Sequence, residues 1–214
     1  MPITEPMTML TDYAIAAETA YFSVVLLRVG HYRQQVSMQL WSAAFCCVAI
    51  AALLGGTCHG FLLGLENATV LLLWHLMLNL LGLASCFMLL SSCKSVLPRR
   101  WQLWAWLLVG SKSFIYLSWM AVRPNTQDAF AYGVIDYFSA MLLVLILQAG
   151  AAVYSNSKGA IWIIFGIVTS GVAIALQASS LSLFQHFNHN DLYHLVQMVA
   201  LYGFYRGATL TKDR

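Results

Sequence analysis

Seven long apolar runs, each separated from the next by a short polar stretch, fill this sequence of 214 residues. A helix needs about 20 apolar residues to cross the hydrocarbon core of a bilayer. The runs lie at about residues 12–28, 38–62, 68–92, 101–121, 129–154, 159–182 and 190–208. We therefore predict an all-α protein with a single domain over residues 1–214, built as a bundle of seven transmembrane helices.

The composition supports a membrane location. Only 9% of the residues are charged and 60% are hydrophobic, whereas soluble domains carry about 25% charged residues. We expect an integral, multi-pass protein of a bacterial inner membrane or a eukaryotic internal membrane, with membrane lipids as partners. The net charge of +3 comes from cations spread along the chain, mostly at helix ends, so we expect no nucleic-acid partner.

The positions of lysine and arginine predict the orientation, because cytoplasmic loops carry an excess of these residues. With the N-terminus outside and the C-terminus inside, Arg123 falls outside and Lys112 falls within the fourth helix. We expect Lys112 to form an internal ion pair or to extend toward the membrane surface. The other nine of the eleven cations then lie inside: Arg28, Arg33, Lys94, Arg99, Arg100, Lys158, Arg206, Lys212 and Arg214.

The same topology gathers ionisable residues at the outer membrane face. Asp12 and Glu18 open the first helix. We expect water to solvate Asp12 and assign an inward role to the deeper Glu18, because ionisable groups within a bilayer are costly and usually functional. Five of the six histidines belong to this face: His59, His75, His186, His189 and His194.

A zinc site is predicted from the segment "NHNDLYHL", residues 188–195. Residues three or four apart share a helix face, so Asp191 and His194 can converge on one ion. Catalytic zinc takes three protein ligands and keeps a fourth position for water. We predict His59 and His194 as two ligands. The third ligand comes from His189, Asp191 or His75.

Two motifs resemble elements of the CREST superfamily, which includes the alkaline ceramidases and the progestin/adiponectin receptors. "LLGGTCHGF" with His59 resembles the family's second helix, and "NDLYHL" with His194 resembles its seventh. The resemblance implies seven spans and a zinc ion held by histidines from these two helices. Asn190 stands where the family has a further histidine, so His189 or Asp191 would have to replace that ligand. Gly55 stands where the family has a serine.

Three functions are compatible with these residues. The first is a zinc-dependent, ceramidase-like hydrolase of a lipid amide or ester, in which Glu18, Asp191 or His75 moves the proton. The alternative is a non-catalytic protein, either a lipid or ligand receptor or an accessory subunit that binds other membrane subunits. A proton-linked transporter is the third, and the absence of paired acids deep in the spans and of an inverted repeat disfavours it.

Overall fold

Seven α-helices make up the computed structural model, which describes residues 3–122, 129–179, 181 and 187–214. A short 3-10 turn at Leu62–Gly64 follows the second helix. Two residues used in the predictions, Arg123 and His186, lie outside the described residues. The helices are α1 (Pro6–Tyr32), α2 (Val36–Phe61), α3 (Asn67–Val96), α4 (Arg99–Val122), α5 (Ala129–Ser155), α6 (Lys158–Ala178) and α7 (His189–Leu210).

Six of these helices, α1 to α6, are long and apolar enough to cross a membrane. The predicted all-α, multi-pass membrane architecture is confirmed at this level. The last helix, α7, has 22 residues and is more polar, because Asn190, Asp191, His194 and Gln197 occupy its first turns.

Two helix boundaries differ from the prediction for local reasons. Helix α1 begins at Pro6, six residues early, because proline in the first turn loses no intrahelical hydrogen bond. Asp12 consequently lies in the second turn and is only 7% exposed. Helix α6 ends at Ala178 rather than at residue 182, and the backbone N–H of the C-cap residue Ser179 bonds to the carbonyls of Ala175 and Leu176.

Helix packing arranges six helices in a closed ring, in the order α1, α2, α3, α5, α6, α7 and back to α1. Helix α4 packs on α3, outside this ring. Helices α1 and α7 run parallel, since Thr8 bonds Asp191 at one end and the rings of Phe22 and Tyr205 stack 4.3 Å apart farther along. This parallel pairing sets the first turns of α1 and α7 side by side.

The opposite end of the bundle is closed by residues 211–214, called here the tail. The Asp213 carboxylate accepts hydrogen bonds from the backbone N–H groups of Val36 and Ser37 at 2.8 and 3.0 Å. The Gln35 side chain accepts one from the Asp213 N–H at 2.7 Å. Because the first N–H groups of a helix have no partner within that helix, Asp213 completes the start of α2.

Candidate functional site

The candidate site lies where the first turns of α1 and α7 meet the last turns of α2. Gly56 permits this approach, since a Cβ atom there would lie 2.8 Å from a ring carbon of Tyr13. The polar side chains gathered here are called the histidine cluster. They are Glu5, Thr8, Thr11, Asp12, His59, Asp191 and His194.

His194 is held by α1 through both of its ring nitrogens. Its Nδ1 lies 2.8 Å from the Thr11 hydroxyl, and its Nε2 lies 3.4 Å from Asp12 Oδ1. The Thr11 hydroxyl already donates toward the carbonyls of Met7 and Thr8, at 3.1 and 3.0 Å. Since a hydroxyl carries one proton, Thr11 donates to only one of these acceptors, and the direction of its bond with His194 follows the tautomer of the imidazole. Nε2 faces the Asp12 carboxylate.

His59 is oriented in a similar way by the residue that precedes α1. Its Nδ1 donates to Glu5 Oε2 at 2.9 Å, because a carboxylate can only accept. The Trp74 ring of α3 packs edge-on against the imidazole, with centroids 6.4 Å apart. Each imidazole therefore has its Nδ1 hydrogen-bonded to an oxygen atom, of Glu5 for His59 and of Thr11 for His194.

Asp191 is the third residue of α7 and is fully buried. Its Oδ2 accepts from the Asn188 N–H at 2.8 Å, while the Asn188 side chain accepts from the backbone of Asn190. These reciprocal bonds form a capping box. Its Oδ1 accepts from the Thr8 hydroxyl at 3.0 Å. With both oxygens occupied, Asp191 joins the start of α7 to α1.

The other three predicted site residues take no part in the hydrogen bonds of the cluster. His189 is the half-buried first residue of α7. His75 follows Trp74 on α3. Glu18 lies six residues beyond Asp12, roughly 9 Å deeper along α1, and its Oε2 is buried without a hydrogen-bond partner. The structure thus groups His59, His194 and Asp191 and leaves these three outside the network.

The cluster fits a metal ion in its donor chemistry. An imidazole ligand to zinc characteristically donates its other ring N–H to an oxygen acceptor, which orients the ring. Here Glu5 is the oxygen partner of His59, and Thr11 is the oxygen partner of His194. Over the described ranges, however, no three His, Cys, Asp or Glu side chains are close enough to hold an ion as they stand.

Comparison with known proteins places this arrangement in a family. The sequence profile of a protein family of unknown function, DUF6962, matches residues 7–213. The chain belongs to this family. No curated protein and no solved structure matches it. The DUF6962 match includes nearly all of α1 and every later helix, so the histidine cluster lies almost entirely within the family's own sequence.

This DUF6962 member has a second buried polar site among α3, α4 and α5. The Lys112 amine lies 2.5 Å from Asp136 Oδ1 and 3.2 Å from its backbone carbonyl. The Ser85 hydroxyl lies 2.6 Å from Asp136 Oδ2. The expectation of an internal ion pair for Lys112 is confirmed. The pair links α4 directly to α5.

Sequence reasoning missed four members of the histidine cluster: Glu5, Thr8, Thr11 and Asp12. Thr8, Thr11 and Asp12 carry a readable signal, since spacings of three and four place them on one helix face. The predicted first helix begins at about residue 12 and therefore does not include Thr8 and Thr11. The capping box also had a signal, the pair Asn188 and Asp191 three residues apart before an apolar run.

Proposed function

We propose that this DUF6962 member is a seven-span membrane hydrolase of a lipid amide or ester, similar in type to the CREST superfamily. The observation that supports it is the pair of imidazoles from α2 and α7, each with Nδ1 hydrogen-bonded to an oxygen atom. Zinc held there by His59 and His194 would supply a Lewis acid and a hydroxide at neutral pH.

The residues of the chain have separate parts in this proposal. Glu5 and Thr11 fix the ring orientation of His59 and His194. Asp191 positions the first turn of α7 through its bonds to Thr8 and to the Asn188 N–H. Proton transfer is assigned to Asp191, Glu18 or His75.

The seventh span is part of the proposal. Helix α7 has 22 residues, about 33 Å at 1.5 Å per residue, which suffices for a hydrocarbon core of about 30 Å. Seven spans separate the two termini, and the cation distribution favours the N-terminus outside and the C-terminus inside. Reporter fusions after the first and last helices are both expected to report an inside location, and reporters active on opposite sides contradict it.

Metal analysis tests the site. Purified wild-type protein is expected to hold about one zinc per chain, and His194→Ala is expected to lose it. His31→Ala is the matched control, because His31 is exposed near the end of α1 farthest from the cluster. Hydrolysis of a panel of ceramides and acyl lipids then tests catalysis. Wild-type protein without zinc and without hydrolysis would refute the proposal.

A non-catalytic role as a lipid receptor or accessory subunit is the second candidate. Helix α4 favours it, because it lies outside the ring and presents large apolar side chains, among them Trp104, Leu108, Phe114 and Ile115, at 63–73% exposure. A subunit partner would cover this face. Co-purification of one stable membrane partner, lost on Leu108→Lys but retained on Lys158→Met, would favour this role over the hydrolase.

A further inference from the structure

We infer that the end of the bundle closed by the tail binds the phosphate group of an anionic membrane lipid. The site is an open cavity of about 210 Å³ where the end of α1, the start of α2 and the end of α7 meet. Arg33 and Lys212 line it, together with the apolar side chains of Met38 and Leu210. The cavity lies at the opposite end of the bundle from the histidine cluster, and the inference does not depend on the proposed hydrolase.

The two cations of this cavity have no acidic partner. Within the part of the chain that the structure describes, neither Arg33 nor Lys212 forms an ion pair. Asp213 is the single acid of the tail, and its two carboxylate oxygens already accept hydrogen bonds from the first N–H groups of α2. The cavity therefore holds two positive charges that no nearby carboxylate balances, and a pocket with charge of one sign attracts ligands of the opposite sign.

The guanidinium of Arg33 is positioned by the end of α7. Its Nη1 donates to the Thr209 carbonyl at 3.5 Å, and carbonyls in the last turn of a helix have no partner within that helix. Over the described ranges this is the one hydrogen bond of the Arg33 side chain, so most of its five N–H donors remain for a ligand. The planar arrangement of these donors matches the oxygen atoms of a phosphate group.

Exposed aromatic residues place this end of the bundle at the level of the lipid headgroups. Tyr32, next to Arg33, and Tyr154, at the end of α5, are each 89% exposed. Both belong to the end closed by the tail, because the Arg214 guanidinium bonds the hydroxyl of Ser155, which follows Tyr154. Tyrosine and tryptophan are enriched where a membrane protein crosses the boundary between hydrocarbon and water. The cavity therefore lies within reach of lipid phosphates.

The surroundings of the two cations favour a lipid phosphate over free phosphate. Met38 is buried and Leu210 is 40% exposed, so apolar surface lies beside the charges, as the acyl chains of a lipid lie beyond its phosphate. Pockets that enclose a drug-sized ligand measure about 300–1,000 Å³, so this smaller cavity suits a headgroup and not a whole lipid. The cation distribution predicts a cytoplasmic location for this end, and anionic lipids of the cytoplasmic leaflet attract basic residues.

Lipid binding to purified variants tests the inference. Phosphatidylglycerol, a lipid with one anionic phosphodiester, is titrated into the protein in detergent, and native mass spectrometry counts the lipids bound per chain. Arg33→Gln combined with Lys212→Gln removes both charges from the cavity. We expect this double variant to bind the first phosphatidylglycerol roughly 30-fold more weakly than wild type, equivalent to about 2 kcal/mol for two basic residues near an anionic surface.

Two further double variants serve as controls. Arg99→Gln with Lys158→Gln removes the same charge from exposed residues at the starts of α4 and α6 that do not line the cavity, and we expect it to bind as wild type does. Arg33→Lys with Lys212→Arg keeps both charges, and we expect it to restore lipid binding. Circular dichroism checks that all variants have the helical content of wild type.

Three outcomes would overturn the inference. The first is equal affinity of wild type and the double glutamine variant of the cavity for phosphatidylglycerol. The second is equal affinity of wild type for phosphatidylglycerol and for phosphatidylcholine, whose headgroup has no net charge. The third concerns the source of the phosphate: if glycerol phosphate, which has no acyl chains, binds wild type as tightly as phosphatidylglycerol does, the cavity is a site for a soluble phosphate and not for a lipid.

Discussion

The buried ion pair between Lys112 and Asp136 gives the sharpest test of how this bundle is held together. The Asp136 side chain is 6% exposed and that of Lys112 is 24% exposed. Lys112→Met would leave the Asp136 carboxylate with the Ser85 hydroxyl as its remaining side-chain partner. We expect a loss of about 3–5 kcal/mol in the free energy of unfolding, because an uncompensated charge is left buried.

Replacing both residues should cost much less. A buried pair exchanged for apolar side chains of similar volume is often neutral or stabilising, so Lys112→Met with Asp136→Leu should stay within about 1 kcal/mol of wild type. Ser85 has an alternative acceptor in the Gly82 carbonyl at 2.9 Å. The double variant therefore leaves no unsatisfied hydroxyl.

Unfolding in mixed detergent and dodecyl sulfate micelles, followed by far-ultraviolet circular dichroism, measures the single variants Lys112→Met and Asp136→Leu and the double variant. Lys158→Met is the control, because Lys158 is exposed at the start of α6. The reasoning is refuted if each single variant costs less than about 0.6 kcal/mol, the average of an ordinary interhelical hydrogen bond in a membrane protein. It is also refuted if the double variant costs the sum of the two single ones.

Three further predictions concern packing and helix ends. Gly82→Ala should lower the free energy of unfolding by about 1–3 kcal/mol, because the added Cβ would overlap the Tyr116 ring. Gly110→Ala should leave it unchanged, because a Cβ there would meet no other atom within 4 Å. Thr8→Val should cost about 1–3 kcal/mol, measured by the same unfolding assay, because it leaves buried Asp191 Oδ1 without its donor; an unchanged midpoint would contradict this. Asp213→Ala should cost about 0.5–2 kcal/mol and speed proteolysis of the tail, and equal cleavage rates would argue against its capping role.

The helices were predictable from the sequence, but several of their ends were not. Apolar runs of membrane-spanning length mark the helices without any tertiary information. The start of α1 was missed because Pro6 and the polar Thr8 and Thr11 interrupt the apolar pattern. Those threonines are buried only because α7 packs against them, through Asp191 and His194. That contact joins residues 183 positions apart in the chain, and no local pattern reports it.

The sequence predicted three members of the histidine cluster, His59, Asp191 and His194, but not the residues with which they pair. Because an ionisable group in a bilayer is costly, such a group is expected to have a partner, and Lys112, His59 and His194 each have one. The identity of that partner cannot be predicted in this way, since it depends on how the helices are rotated relative to one another. That His59 and His194 share an ion stays a prediction, and the structure adds that each is hydrogen-bonded to a carboxylate or hydroxyl from the α1 segment.

Glu18 is an exception to this pairing of ionisable groups among the described residues. Its Oε2 is buried and has no hydrogen-bond partner, although a buried polar atom left unsatisfied costs about 1–3 kcal/mol. Asp12 and Asp136 inside the spans of the same chain do find partners, on α7 and on α3 and α4. Among the described residues, Glu18 therefore differs from those two acids in having one carboxylate oxygen without a partner, and its inward, proton-handling role stays a prediction.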